Sequence, residues 1–416
     1  MNVCMIVHKN YHSDPRVRRY AEALADAGVH VDILCLRDLQ ALPQKPNDTI
    51  KTFAIPLTCL VDRSMNYFLS YVIALVWFSC WLLILHLKRR YAVIHVHNMP
   101  DFLVFAALIP RVLGTKVILD IHDPMPEFYT SKYRRKPDGL GVKLLRLQER
   151  LSASLAHAII TANANFKRNL IARGIPAGKI TVVNNVADPR WFDRSRYTQI
   201  RKTVGNHFTL IYPGTIAPRY GLDVAIRALP LLIEKIPQIR LLIIGPHTPH
   251  VDELVALAEQ LRVSSFVEFR PLLPVEEVPR QIVQADIGIY TALPDAHMSI
   301  ATPTKVLEYA VMGIPVLASR LKILEDIFDD TAVQFFEPGN VEHFSSCVLE
   351  LFQRPSRQAE LVRNADNLFV RSHCWETEQQ SYFNVLHGLI GTQYGKKEKN
   401  SVQAYERPAG ETAESS

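Results

Sequence analysis

The sequence lacks several short motifs that would assign it to a common class of protein. Its six cysteines are scattered without a Cys-x-x-Cys pair, so neither a zinc site nor a framework of disulfides is indicated. No Gly-x-Gly-x-x-Gly follows the first predicted strand, which argues against a dinucleotide site in that loop. No Asp-x-Asp motif stands near a predicted strand end in either half, so no acidic metal site is predicted.

The amino terminus has no basic segment before an apolar run, because the chain enters a predicted strand at residues 3–7. We therefore expect a cytoplasmic chain. With 416 residues, 48% of them hydrophobic and 21% charged, the chain is long enough for two globular domains with separate cores.

The chain is moderately basic, with a net charge of +6 and basic clusters at residues 88–90 and 132–136. Such clusters favour contact with an anionic surface, a lipid head group or a polyanionic acceptor. A solvated basic face is the alternative interpretation of each cluster. We expect no nucleic-acid partner.

The first half of the sequence alternates strands and helices. Residues 3–7 and 31–36 are predicted strands, and between them Ser13 or Asp14 caps a helix that starts at Pro15. This β-α-β unit has the length of a parallel, right-handed crossover, so the fold is predicted to begin as a Rossmann-like domain.

Polar side chains follow three predicted strands of this half. The candidates are His12 and Arg16 in the first loop, His97 after a second strand, and His122 and Asp123 after a third. Ligands collect at the carboxyl ends of strands in an open α/β sheet, and we place His12, Arg16 and His97 on the acceptor side. Each histidine can instead be a satisfied core or loop residue, and Arg16 a solvated one. No carboxylate-rich third ligand accompanies the histidines, so no metal is predicted.

Residues 67–87 form an apolar segment without a charged side chain, and roughly 20 such residues are long enough to span a bilayer. If the segment crossed a membrane, the strands before it and the predicted strand at 92–96 could not share one sheet. We therefore predict a helix packed in the first domain. Trp77, Trp81 and the basic residues 88–90 favour additional contact with a membrane interface, and a purely internal helix is the alternative.

The second half opens with a predicted strand that leads into a turn at Gly214 and Thr215. A glycine turn between a strand and a helix can cradle phosphates, and Arg219 is the best candidate for contact with a diphosphate. The alternative interpretation of Arg219 is an exposed loop residue without a ligand. Before this strand, residues 188–206 are charged and lack apolar periodicity, which predicts an interdomain linker. Further strands are predicted at residues 241–245, 266–269 and 287–290.

The most informative stretch is residues 303–319, which predicts a helix, a glycine turn and a strand. Pro303 is tolerated in a first helical turn, apolar residues follow at helical spacing, and Gly313 supplies the stop. Lys305 and Glu308 share one helix face. The free N–H groups of the helix start can hold an anion, while Glu308 can accept hydrogen bonds from a ribose diol. A nucleotide diphosphate site is one interpretation, and a surface ion pair is the other.

This stretch resembles the nucleotide-sugar-binding segment of the retaining glycosyltransferases of family 4, which have the GT-B fold. The family pattern is Pro-x-Lys-x-x-Glu followed by Gly-x-Pro-Val. Each position is filled here, by Pro303, Lys305, Glu308, Gly313, Pro315 and Val316.

The chain also departs from the family pattern at three positions. The usual first Glu falls on Ile300, which leaves the nearby Asp295, His297 and Ser299 as candidates for contact with the donor sugar. In the glycine turn of the second half, Thr215 and Tyr220 stand where the family usually has Arg and Lys.

The resemblance implies an α/β fold of two Rossmann-like domains facing a cleft. The acceptor domain would span residues 1–190 and include the hydrophobic helix, and the nucleotide-sugar domain would span residues 205–370. A helix within residues 371–392 would cross back to the first domain. The Lys-, Glu- and Ser-rich residues 395–416 are predicted to be disordered.

The implied activity is transfer of a sugar from a nucleotide-diphosphate donor to an acceptor hydroxyl, with retention of configuration and without a metal or cofactor. We expect a role in cell-surface polysaccharide or glycolipid synthesis, with a saccharide or lipid-linked acceptor and peripheral contact with the inner membrane face. His122 and Asp123 would be catalytic. The donor-binding residues would be Gly214, Thr215, Arg219, Ser299, Ile300, Thr304, Lys305 and Glu308.

Two other functions are compatible with the same fold. A nucleotide-sugar epimerase would need more acid and base groups beside the sugar than His122, Asp123 and the surroundings of Ile300 provide. A non-catalytic partner in a polysaccharide assembly complex would account for the missing Glu at position 300.

Overall fold

The computed structural model describes residues 1–37, 49–55, 67–133, 135–200, 207–370 and 374–391. Two parallel sheets, one in each half of the chain, organise these residues into two domains. The predicted disordered tail and the last part of the predicted linker, residues 201–206, lie outside the described residues.

The first domain is built on a seven-stranded parallel sheet. Its strands are β1 (Asn2–Asn10), β2 (His30–Leu36), β3 (Ile50–Ile55), β4 (Val93–His97), β5 (Lys116–Ile121), β6 (Ala158–Thr161) and β7 (Ile180–Val182). Its helices are α1 (Pro15–Asp26), α2 (Tyr67–Arg89), α3 (Leu108–Val112), α4 (Met125–Tyr133), α5 (Leu140–Leu155) and α6 (Ala164–Ala172). The strand order is β3-β2-β1-β4-β5-β6-β7.

The second domain is built on a six-stranded parallel sheet. Its strands are β8 (Phe208–Pro213), β9 (Ile239–Ile244), β10 (Val267–Arg270), β11 (Ile287–Tyr290), β12 (Val316–Ser319) and β13 (Gln334–Phe336). Its helices are α7 (Leu222–Ile233), α8 (Pro249–Gln260), α9 (Val278–Ile282), α10 (Thr304–Met312), α11 (Lys322–Glu325), α12 (Val341–Gln353) and α13 (Pro355–Ala365). The strand order is β10-β9-β8-β11-β12-β13.

The first β-α-β unit forms where the sequence predicts it. Asp14, rather than Ser13, caps α1, since its carboxylate accepts hydrogen bonds from the N–H groups of Arg16 and Val17. The sequence analysis missed β3, which lies at the edge of the sheet and exposes Lys51 and other side chains. An edge strand with little buried surface carries a weak apolar pattern.

Helix α2 packs along the first sheet through fully buried side chains at helical spacing, Ala74, Phe78 and Leu82. Strand β1 precedes this helix in the chain and β4 follows it, yet the two strands pair in parallel. By length and composition the stretch Leu69–Arg89 could cross a membrane. In this fold it lies against the sheet instead, because the strands on either side of it are neighbours.

The last helix, α14 (Trp375–Ile390), crosses back from the second domain to the first. Tyr382 and Leu386 are buried in the core that α1 forms with the sheet. The Tyr382 ring lies 4.3 Å from the ring of Tyr20, centroid to centroid. The carboxylate of Glu378 accepts hydrogen bonds of 2.7 and 2.8 Å from the backbone and side-chain amides of Asn184.

Helix α10 lies close to the second sheet because a buried aromatic ring meets a glycine. The Tyr309 hydroxyl is 3.2 Å from the carbonyl oxygens of both Ile211 and Ile289, and its ring covers Gly288 in β11. A Cβ at residue 288 would overlap that ring. This contact fixes the height of α10, and so of its first turn, above the sheet.

We predict that Gly288→Ala lowers the thermal unfolding midpoint, because the added methyl group overpacks the Tyr309 ring at a cost of about 1–3 kcal/mol. The matched control is Gly388→Ala in α14, where an added Cβ meets nothing within 4 Å. That change is expected to be neutral or slightly stabilising, since Ala favours a helix. Circular dichroism melts of the two variants measure the difference, and equal midpoints would contradict the packing.

Candidate active site

The first group of candidate residues surrounds the start of α10. Pro303 is the N-cap and makes no side-chain hydrogen bond to the first turn. The Lys305 side chain lies over Gly214, at the end of β8, where a Cβ would overlap it. Its Nζ is 5.2 and 5.1 Å from the ring centroids of Tyr212 and Tyr220. An ammonium group and free helical N–H groups thus adjoin a glycine turn, which suits a phosphate.

Arg219 is held between two aromatic rings from different domains. Its guanidinium carbon is 5.4 Å from the ring centroids of both Phe128, in α4, and Tyr220. Its Nε and Nη1 atoms are buried and make no hydrogen bond with the described residues. A guanidinium that is held in place with unused donors is suited to bidentate contact with phosphate oxygens.

Glu308 extends the same side of α10 by one helical turn beyond Lys305. Burial raises the pKa of its carboxyl group to about 7, although the positive charges of Lys305 and Arg19 act in the opposite direction. Within the described part of the chain, this carboxyl group makes neither a hydrogen bond nor an ion pair. It is therefore available to accept hydrogen bonds from a diol.

In the first domain, Asn98 fixes the loop that follows β5. Its Oδ1 accepts hydrogen bonds from the N–H groups of His122 and Asp123 at 3.1 and 3.3 Å. Its Nδ2 donates to the Asp123 carbonyl oxygen at 2.7 Å and to Asp101 at 2.9 Å. The positions of the two predicted catalytic residues are therefore set through their backbone.

Asp120 lies beneath this loop and is completely buried. Arg16 donates to both of its oxygens, from Nε at 2.8 Å and from Nη2 at 3.0 Å. The Nδ1 atom of His97 is 3.1 Å from Oδ2 of Asp120, and that of His122 is 3.6 Å from the same oxygen. Arg16 also donates to the Val183 carbonyl oxygen at 3.0 Å, so the network reaches the segment after β7.

The network sets the protonation of its members. Burial would raise the pKa of Asp120, but Arg16 and the two histidines outweigh burial and hold that pKa well below its ordinary value. Burial lowers the pKa of His97, so this imidazole stays neutral. The Asp120 carboxylate overcomes burial at His122 and raises the pKa of that imidazole. The positive form is thus favoured at His122, whose side chain remains 12% exposed.

Residues that follow strand ends in the two sheets meet across the cleft. Oδ1 of Asp123 lies 3.2 Å from Nε2 of His297. Asn163, which caps α6 after β6, donates to the Ile300 carbonyl oxygen at 2.9 Å and to Thr302 at 3.2 Å. Burial would raise the pKa of Asp123, but the hydrogen bond from His297 and the charge of His122 lower it. Asp123 is thus a carboxylate at the domain boundary.

Two of the residues predicted on the acceptor side lie in the interior of the first domain. Arg16 and His97 are buried, with exposed fractions of 5% and 0%, because both bind Asp120. In this structure both side chains hold Asp120, and their contribution to the acceptor side stays a prediction. The third candidate, His12, is half-buried in the turn before α1.

The loop that lacks the family Glu mainly joins the domains. Asp295 accepts hydrogen bonds from the N–H groups of His297 and Met298 and from the Ser131 hydroxyl of the first domain. Asp295 thus holds the turn that contains His297 and ties it to the first domain. The side chains of Ser299, Ile300 and Thr304 are partly buried, and that of Thr215 is exposed.

Four residues that shape the candidate site were not identified from the sequence: Asp120, Asn98, Asn163 and Phe128. Asp120 carried a usable signal, since an acidic residue inside an apolar strand requires a buried partner. The others act through contacts distant in the chain, and their local sequence gives no comparable signal.

One group of side chains has the composition of a metal site. The ligand atoms of His95, His97 and Asp120 lie within 4.8 Å of one another, and all three residues are buried. Both Asp120 oxygens already accept hydrogen bonds from Arg16, and the His95 Nδ1 atom is 3.2 Å from the Tyr382 hydroxyl. A guanidinium cation beside the carboxylate makes this set a poor fit for a metal ion.

The cavity of about 450 Å³ between the domains is distinct from the predicted donor site. It is lined in part by Asn163, Asn185, Thr302 and Leu307. Neither Arg219 nor Lys305 nor Glu308 lines it, so this cavity does not coincide with the predicted donor site beside Gly214.

Two Rossmann-like domains that meet at their strand ends, with a terminal helix returning to the first, define the GT-B class of glycosyltransferases. The family model described as glycosyl transferase 4-like domain matches residues 13–186, and that of glycosyl transferases group 1 matches residues 193–368. The chain belongs to the family 4 glycosyltransferases with the GT-B fold, which confirms the predicted family and fold class.

A curated relative is a GDP-mannose-dependent alpha-(1-6)-phosphatidylinositol monomannoside mannosyltransferase of Mycolicibacterium smegmatis. It is 26% identical over 194 residues, which are 45% of this chain and 50% of the relative. The matched stretch spans about half the length of this relative, and a Xenopus tropicalis relative is matched over 43% of its length.

Solved structures of similar fold cover nearly the whole chain. Sucrose-phosphate synthase from Thermosynechococcus elongatus has a TM-score of 0.75 at 16% sequence identity. The match covers 94% of this chain and 99% of the synthase chain. HepE of Anabaena, solved with UDP-glucose, has a TM-score of 0.66 at 15% sequence identity. The match covers 93% of this chain and 100% of the HepE chain.

We predict that Glu308→Gln raises the thermal midpoint of the unliganded protein at pH 8 and has little effect at pH 5. The folded-state pKa of about 7 lies above the ordinary 4.5, so the stabilising proton is bound at low pH and lost as pH rises through 7. The full shift corresponds to about 3 kcal/mol, and partial exposure of the side chain reduces our expectation to about 2 kcal/mol. The control is Glu259→Gln on the exposed face of α8, which should show no pH-dependent gain. Equal thermal midpoints of Glu308→Gln and wild type at both pH values would show that the pKa of this carboxyl group is not raised.

Proposed function

We propose that this protein transfers a sugar from a nucleotide-diphosphate donor to the hydroxyl of a saccharide or lipid-linked acceptor, with retention of configuration. The observation that carries the proposal is a set of unpaired groups around one glycine turn. Arg219 has unused donors, Lys305 makes no ion pair among the described residues, and Glu308 accepts no hydrogen bond there. A diphosphate with its ribose would satisfy all three.

The chemistry requires stabilisation of a departing nucleoside diphosphate. When the bond from the sugar carbon to the phosphate oxygen breaks, the electron pair leaves with the diphosphate, where Arg219, Lys305 and the first N–H groups of α10 can stabilise it. The acceptor oxygen then bonds to the same face of the sugar, and its proton passes to the departing phosphate oxygen. Two cationic side chains and a helix N-terminus supply the charge that a metal ion would otherwise supply, so we propose a metal-independent reaction.

The first-domain residues would act on the sugar side of the cleft. The imidazolium form of His122, favoured by Asp120, can donate a hydrogen bond to a sugar hydroxyl or to a phosphate oxygen. Asp123 would position the sugar and the opposite loop, since it already contacts His297.

The acceptor is proposed to be linked to a lipid at the cytoplasmic face of a membrane, in polysaccharide or glycolipid synthesis. Two observations support this. The mycobacterial relative is named for an acceptor that is a phosphatidylinositol mannoside. In addition, α2 presents apolar residues to the surface next to a basic cluster.

The direct test incubates the pure protein with a panel of labelled nucleotide sugars, with and without lipid and saccharide acceptors. A transferase releases nucleoside diphosphate and moves label into an acceptor, with release dependent on that acceptor. An epimerase converts the sugar without any acceptor, and a non-catalytic partner does neither. Addition of EDTA tests metal independence, and a loss of turnover that Mg²⁺ restores would overturn that part of the proposal.

We predict that Lys305→Ala, Glu308→Ala and Arg219→Gln each lower kcat/KM for the nucleotide sugar by at least about 100-fold, since each removes a charged contact to the donor. Lys235→Ala and Glu259→Ala, exposed on the second domain, are the matched controls and should keep wild-type values. Circular dichroism confirms that each variant is folded. Unchanged turnover in both Lys305→Ala and Glu308→Ala would remove the site assignment.

A further inference from the structure

We propose that the outer surface of α2, α3 and α5 is a docking surface for a bilayer rich in anionic phospholipids. We call this surface the outer helical face. It consists of Leu69, Val76, Trp81, Ile84 and Leu87 of α2, Leu108, Ile109, Val112 and the following Leu113 at α3, and Leu140, Leu144, Leu147 and Leu151 of α5.

Helix α5 shows most clearly that this surface is not incidental. Leu140, Leu144, Leu147 and Leu151 recur at spacings of four, three and four residues, so they line one side of the helix. Their exposed fractions are 74, 57, 53 and 52%. The opposite side of α5 is buried against the domain through Val142 and its neighbours. The buried side includes the polar Glu149 and Ser152, so the leucines of α5 are concentrated on its exposed side, which a purely internal role does not require.

Helix α2 is apolar on both its buried and its exposed side. Its buried side carries Ala74, Phe78 and Leu82, while Val76, Ile84 and Leu87 are 59, 46 and 67% exposed on the other side. Packing against the sheet accounts for the hydrophobicity of the buried side of this segment. The exposed half has no partner among the described residues.

The three exposed stripes belong to one layer. The segment Asp101–Ala107 packs against both α2 and α5, and α3 continues directly from it. Within the described residues, fourteen of the nineteen large exposed hydrophobic side chains fall between residues 69 and 151. An exposed apolar area of this extent marks an interaction surface.

The charges around the layer favour an anionic partner. Between residues 67 and 155 the sequence has twelve Lys and Arg but six Asp and Glu. Three of the acids, Asp101, Asp120 and Glu149, have exposed fractions of 0%. Lys143 and Arg150, by contrast, are exposed on α5 itself, and Lys88 lies beyond the end of the apolar part of α2. The surface is thus apolar with a cationic surround.

This combination favours a lipid surface over a protein partner. Protein interfaces are depleted in lysine, whereas an interfacial helix pairs exposed aliphatic side chains with Lys and Arg for anionic head groups. Trp81, on α2, adds an amphipathic ring of the kind that favours the membrane–water boundary.

The layer also reaches the cleft. The ring of Tyr71, in the first turns of α2, contacts His8 of β1 at 4.8 Å and Phe102 at 6.2 Å between centroids. Helix α5 begins shortly after α4, which itself follows Asp123. A docked protein would hold its acceptor side near the lipid head groups. This last step rests on the proposed function, whereas bilayer binding itself does not.

The test is co-sedimentation of the full chain with vesicles of phosphatidylcholine alone or with 40% phosphatidylglycerol. We expect binding to the anionic vesicles and at least tenfold weaker partitioning of the double variant Leu144→Gln/Leu147→Gln. The matched control, Leu231→Gln/Leu272→Gln, removes two exposed leucines of the second domain and should bind as wild type does. Lys143→Gln/Arg150→Gln should weaken binding at low salt and converge with wild type at 0.5 M NaCl.

Equal vesicle binding by wild type and Leu144→Gln/Leu147→Gln, or no binding by either, would overturn the proposal. Analytical ultracentrifugation of the same samples without lipid tests the other occupant of this face. A wild-type dimer that Leu144→Gln/Leu147→Gln converts to monomer would assign the face to a second copy and also overturn the proposal. Release of nucleotide with a soluble acceptor, measured in parallel, separates the two hypotheses, because docking variants should keep that activity.

Discussion

The first domain depends on the burial of one carboxylate. Asp120 lies in the middle of a sheet with no solvent contact, and a buried charge requires partners. Arg16 neutralises it with two hydrogen bonds and links α1 to the segment after β7, while His97 fills a further position. The carboxylate of Asp120 also raises the pKa of His122, at the edge of the cleft. Folding and the protonation of a candidate catalytic residue therefore share one interaction.

The second domain shows the opposite arrangement at its candidate site, where Glu308 and Arg219 lack hydrogen-bond partners among the described residues. The carboxyl group of Glu308 has a raised pKa, and Arg219 has buried donors without acceptors. Both arrangements cost stability in the unliganded protein. A ligand that satisfies these groups binds the folded state selectively and stabilises it by mass action. The apparent defects of this half thus mark where a ligand belongs.

The sequence predicted local elements well. The helix and turn at residues 303–319 were expected from Pro303 and Gly313, and the structure places α10 at Thr304–Met312 with Gly313 in the left-handed conformation. These signals are local, since each depends on the backbone within one or two turns. The two-domain architecture followed from the alternation of strands and helices together with the family resemblance.

Burial of polar residues was harder to predict. Arg16 was placed on the acceptor side because it follows a strand end, where ligands collect in an open α/β sheet, yet its partner Asp120 lies 104 residues away. The exposed leucines of α5 were missed for a related reason. Leucines at helical spacing predict a buried face, and only the packed structure shows that the leucine face of α5 is exposed.

The return of α14 to the first domain has a mechanical consequence. The chain leaves the first domain just after Asn184 and comes back just before Glu378, and these two residues bond to each other. Both covalent connections therefore pass through the same corner of the molecule, which can serve as a pivot. Because Asp123 and His297 join the two domains across the cleft, a rotation about this corner that opens the cleft there would separate them.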